Sequence, residues 1–163
     1  MKPPIVVLGV GNALCQDDGI GPLVVGELAR RYSERREAEW VDAGTVGLAL
    51  LTYLEDRDGL IVVDAAALDA APGDLEVLEG ESMDRFVAGP RLKRSVHEVG
   101  LADLLGAAAF SSTLPKRRAL VAIQPGSTQL GNQPTPAVGA ALDRACAAVL
   151  DVIDRWTTDE VSL

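Results

Sequence analysis

The chain has 163 residues, 24 of them Asp or Glu against 15 Lys or Arg, a formal net charge of −9. That length supports a hydrophobic core, and residues 1–163 read as a single domain with no internal repeat and no linker. The acidic balance argues against partners held by bulk charge, namely nucleic acid and anionic membranes.

No apolar run reaches the roughly 20 residues that a membrane span needs. Met1-Lys2-Pro3-Pro4 leads straight into a strand-like segment, with no signal-peptide pattern. The two cysteines, Cys15 and Cys146, give no disulfide framework. The expected compartment is the cytoplasm.

Ile5-Val6-Val7-Leu8-Gly9 is a continuous β-branched run, as in a strand buried on both faces. A glycine-rich loop follows, from 9 to 19. Ile20, Leu23, Val24, Leu28 and Tyr32 then recur at helical spacing, with Pro22 in the first turn, where its missing N–H costs little. Glu39-Trp40-Val41-Asp42 reads as a short second strand and residues 46–54 as a short helix. Leu60-Ile61-Val62-Val63-Asp64 is a third apolar strand closed by an acid. Residues 74–79 alternate polar and apolar, which fits a half-exposed edge strand compatible with antiparallel pairing.

Residues 80–95 form a polar stretch with no assigned element. A helix starts near Gly100, with Leu101, Leu104, Leu105 and Ala108 on one face. Residues 119–123 make a fifth strand, and the Gly, Gln, Ser and Pro content of 124–134 predicts a mobile loop. Thr135-Pro136 suits the cap and first position of a last helix, whose apolar stripe is Val138, Leu142, Ala145, Val149, Ile153 and Trp156. The tail from Thr157 onward is expected to fray. Strands alternating with helices predict an α/β fold: a three-layer sandwich, with a mostly parallel, twisted five-stranded sheet and helices on both faces.

In such a sheet, ligands bind beyond the carboxyl ends of the strands. Asp18, Asp64 and His97 all fall near that edge. Two carboxylates and an imidazole can hold a divalent metal, and the fold can bring distant strand ends together. Each also has a structural reading. Asp17 or Asp18 can cap a helix, Asp64 can close a turn, and His97, the only histidine, can be structural. Asp42, followed by Ala43-Gly44-Thr45, suits a tight loop or the floor of a substrate cleft.

The Gly9-Val10-Gly11 loop suggests dinucleotide binding, but Leu14 stands where that fingerprint needs glycine, and Asp17 and Asp18 would repel a pyrophosphate. Cys15 and His97 could form a thiol nucleophile and its base, without an evident third orienting group. Cys146, among alanines, reads as core.

Several ordered segments resemble the hydrogenase maturation proteases. They are Leu8-Gly9-Val10-Gly11-Asn12, Asp17-Asp18-Gly19-Ile20-Gly21, Asp42-Ala43-Gly44-Thr45-Val46-Gly47, Ile61-Val62-Val63-Asp64-Ala65, and the run His97-Glu98-Val99-Gly100-Leu101-Ala102-Asp103-Leu104-Leu105. Ile123-Gln124-Pro125 is similar to the family's final strand exit. The likeness spans residues 5–150. It departs at Ala43, where a second glycine is usual, and at Asp18, where some members carry glutamate.

The resemblance implies metal contact by Asp18, Asp64 and His97. It also implies an endopeptidase that removes the C-terminal extension of a NiFe-hydrogenase large-subunit precursor after nickel insertion. The nickel is then carried by the substrate and serves as the recognition element. A non-catalytic nickel-checking chaperone using the same ligands is the alternative, and a dinucleotide-binding domain a weaker one. A monomer is expected.

Overall fold

The computed structural model describes residues 1–89 and 96–161, with backbone alone for residues 96–99, 160 and 161. Five strands form one sheet in the order β2-β1-β3-β5-β4. They are β1 (Ile5–Val10), β2 (Ala38–Gly44), β3 (Gly59–Ala65), β4 (Leu75–Glu79) and β5 (Arg117–Ile123). β1 pairs in parallel with β2 and β3, and β3 with β5, while β4 runs antiparallel to β5. This is the expected mostly parallel sheet with an antiparallel edge.

The helices among the described residues are α1 (Ile20–Arg31), α2 (Leu51–Leu54), α3 (Glu81–Ala88), α4 (Val96–Phe110), α5 (Pro136–Gly139) and α6 (Leu142–Val161). Strand alternation sorts the core into two layers. Val7, Ile61, Val63, Val121 and Ile123 pack with α1 and α6. Val6, Leu8, Leu60, Val62 and Leu120 pack with α2, α3 and α4. Every one of these strand residues is at most 1% exposed. Burying one such side chain contributes about 1.5–3 kcal/mol, so the sheet's two faces dominate the stability.

Several local expectations change. Leu23 is 41% exposed, and Val24, Val25 and Leu28 carry the buried face of α1 instead. Residues 46–54 hold a 3-10 turn, Leu48–Leu50, before the single turn of α2. The stretch left without an element contains α3, anchored by buried Met83 and Val87. The last helix is two, with α5 separated from α6 by Ala140 and Ala141. α6 runs on to Val161, so residues 157–161 continue the helix instead of fraying.

No helix among the described residues is long and apolar enough to cross a membrane. Cys146 is buried as expected, and burial pushes its thiol pKa up, consistent with an inert core residue.

Chain direction decides where chemistry belongs. From β1 the chain moves outward to β2 on one side, and the later strands build on the other side through β3. The order therefore reverses between β1 and β3, and the crevice beyond their carboxyl ends is where an open α/β sheet binds ligands.

Candidate active site

Asp18 reaches that crevice through a tight loop. Gly11 has φ +139°, and a Cβ there would lie 1.7 Å from the Asp18 carbonyl oxygen, so only glycine lets the chain double back this closely. The Asn12 N–H donates to Asp18 Oδ2 at 2.9 Å, and the Asp18 N–H donates to the Cys15 carbonyl at 3.1 Å. Asp18 is 9% exposed. A short 3-10 turn, Gln16–Gly19, carries it into α1.

Asp64 comes from the neighbouring strand. It is the penultimate residue of β3, 2% exposed. Gly9 of β1 pairs with Val63, one residue before it. Strand alternation puts Asp64 on the same face as Leu60 and Val62, the face covered by α4.

His97 was expected just before a helix and instead lies in the first turn of α4. Its side chain is outside the described residues. The start of α4 is nevertheless located: a Cβ on Gly100 would sit 3.2 Å from Val46, just after the carboxyl end of β2. All three segments thus meet one sheet edge. Among the described residues no three His, Cys, Asp or Glu side chains cluster, and the third member of the expected set is the undescribed imidazole.

The helix-cap reading of the first aspartates fails. Gly19 occupies the N-cap of α1, with no side-chain cap bond. Asp17 is fully buried and serves a distant loop. Its Oδ2 accepts from Gly126 N at 2.8 Å, Ser127 N at 3.0 Å and Thr135 Oγ1 at 2.8 Å, and its Oδ1 from Thr135 N at 2.6 Å. Burial alone would raise this carboxyl's pKa. The donors Ser127, Thr135 and Gly126 outweigh it and hold the pKa below the usual aspartate value.

The loop expected to be mobile is therefore tied at both ends to the turn that carries Asp18. Thr135 does not cap α5 with its hydroxyl, because the hydroxyl is given to Asp17. Nothing in the sequence signals this bond set, which joins residues more than a hundred positions apart.

The glycines of the first loop have a structural purpose. A Cβ on Gly9 would meet the Gly21 carbonyl oxygen at 2.5 Å, so α1 lies directly on β1. The Asn12 N–H, one donor a bound phosphate would want, is already given to Asp18, which weakens the dinucleotide reading. Asp42 Oδ1 accepts the Gly44 N–H at 3.0 Å, the tight loop expected from its sequence. Cys15 is half-buried, its backbone bridged in parallel to Gly131.

The family model HycI, described as hydrogenase maturation protease, matches residues 22–152. The chain belongs to the hydrogenase maturation protease family. It is 38% identical to the hydrogenase 2 maturation protease of Escherichia coli K12, over 90% of this chain and 88% of that one. It is 36% identical to the hydrogenase expression/formation protein HupM of Azotobacter chroococcum mcd 1, over 91% of this chain and 71% of that one. Its fold is similar to the hydrogenase maturating endopeptidase HybD from E. coli, with a TM-score of 0.86 at 36% identity, covering 95% and 93% of the two chains. Membership of the hydrogenase maturation proteases makes peptide-bond hydrolysis the chemistry of the chain.

Proposed function

We propose that the chain is an endopeptidase that removes the C-terminal extension of a nickel-loaded NiFe-hydrogenase large-subunit precursor, acting as a cytoplasmic monomer. In this reading Asp18, Asp64 and His97 contact the nickel that the substrate brings. The observation that supports it most is the convergence of the Asp18 turn and the end of β3 at the sheet's reversal point, with α4 starting along the same edge.

The donor set suits the task. Carboxylate oxygens and an imidazole nitrogen complete the coordination of a first-row divalent ion already held by other ligands. Asp18 and Asp64 are nearly buried, and an ion in such a site interacts more strongly than in bulk water. Carboxylate oxygens at one sheet edge favour a cation as their partner, so metal loading becomes a condition for docking. A precursor without nickel offers no such anchor.

Mixing the protein with precursor and following its mass tests the reading. The nickel-loaded precursor is expected to lose its tail peptide, and the nickel-free precursor to keep it. A stable complex with loaded precursor and no peptide release would mean a metal-checking chaperone instead. Equal cleavage of both precursors would remove nickel as the recognition element.

A further inference from the structure

A cleft of about 500 Å³ opens beside the turn that carries Asp18. One wall comes from Gln16 and Gly19 of that turn and from Pro22 and Leu23 of α1. The facing wall is Asn132, Gln133 and Pro134, part of the loop that Asp17 ties down. We propose that this cleft is the subsite for the precursor segment flanking the bond that is cut, and that it takes a short extended stretch with uncharged, aliphatic side chains. The proposal rests on the endopeptidase reading above.

Three observations support it. The volume matches pockets that bury ligands of several hundred daltons, which is room for a few extended residues and too little for a folded element. The lining is mixed in the way a peptide requires. Leu23 and Leu142 are aliphatic, the amides of Asn132 and Gln133 can bond a peptide main chain, and among the described residues the only ionisable liner is Asp42. With no cation among its described liners and a carboxylate in the lining, the cleft disfavours acidic side chains.

Leu23 is also the one large apolar residue of α1 that leaves the core, at 41% exposure. Leu14 and Leu130 stand at 65% and 86% exposure on the two loops that a Gly131 N–H bond to the Leu14 carbonyl joins. They extend the apolar character beyond the cleft.

The cleft can be filled without disturbing the fold. A Cβ on Gly139 meets only Pro134, at an ordinary 3.7 Å, and Gly139 lines the cavity. Gly139→Leu is expected to raise KM for loaded precursor about tenfold or more while kcat changes far less, the pattern of lost binding rather than lost chemistry. Leu23→Asn, on an exposed position, is expected to raise KM in the same sense. A precursor with aspartate placed beside the cut should be cleaved poorly by the unmodified protein.

An unchanged KM in both variants, each with an unaltered melting temperature, would overturn the subsite, as would a fall in kcat alone. If the unmodified protein fails to cut loaded precursor, the endopeptidase reading has failed instead. The two failures are therefore separable.

Discussion

Asp64→Asn is expected to leave the protein folded and to reduce processing of loaded precursor by at least about a hundredfold. Asparagine keeps the shape of the side chain at a site 2% exposed on β3, so the change removes a carboxylate oxygen rather than volume. Loss of residues that merely support a metal ligand costs about 10–100-fold, and loss of a ligand should cost no less. His97→Ala should match it. In the proposed reading both act through one ion, so the double variant should be little worse than either single one.

Circular dichroism and a thermal melt check the fold, and the mass assay checks cleavage. Folded Asp64→Asn that still cuts within a few-fold of the parent would remove the residue from the site. Additive losses in the double variant would mean two separate roles.

Gly21→Ala is expected to be the most destabilising single-methyl substitution in α1, at about 3–5 kcal/mol. Its Cβ would lie 2.3 Å from the Val10 carbonyl oxygen and 2.4 Å from that of Val63. Both are backbone atoms of central strands, so neither can swing aside. The helix must lift from the reversal point, and the Asp18 turn just before it must move too. With a typical stability of about 5–15 kcal/mol, the loss is a large share of the whole.

Gly26 on the same helix is the control, because nothing lies within 4 Å of a Cβ there. Its alanine variant should gain up to about 1 kcal/mol from helix propensity and a less flexible unfolded chain. Urea titration measures both. A loss under 1 kcal/mol at Gly21 would contradict the close approach.

The sheet was legible because buried parallel strands are unbroken apolar runs, and β1 and β3 carry Val, Ile and Leu at consecutive positions. The edge strand was legible for the opposite reason, since Leu75, Val77 and their polar neighbours alternate. α3 was hidden because eight residues with only Met83 and Val87 buried are too short to show a period. Leu23 misled because helical spacing alone counts it with the core, while in the fold it lines the cleft wall.

At that sheet edge, the glycine loop and the acid near the end of β3 were readable from sequence motifs, while α4 begins at Val96, earlier than the expected start near Gly100. The division of labour between two adjacent aspartates was not. Asp17 owes its role to four donors from Gly126, Ser127 and Thr135, a long-range bond set that no local pattern encodes. The same bonds explain why a loop of Gly, Gln, Ser and Pro, flexible by composition, forms a defined wall beside Asp18.

X-ray absorption at the nickel edge shows whether the protein supplies ligands to the metal that the precursor carries. Spectra would be taken of loaded precursor alone and of loaded precursor frozen with excess protein during the first turnover. Added oxygen and nitrogen neighbours at about 2 Å are expected in the mixture, diminished when Asp64→Asn replaces the parent. A nickel spectrum that the protein leaves unchanged while the tail is still released would contradict it.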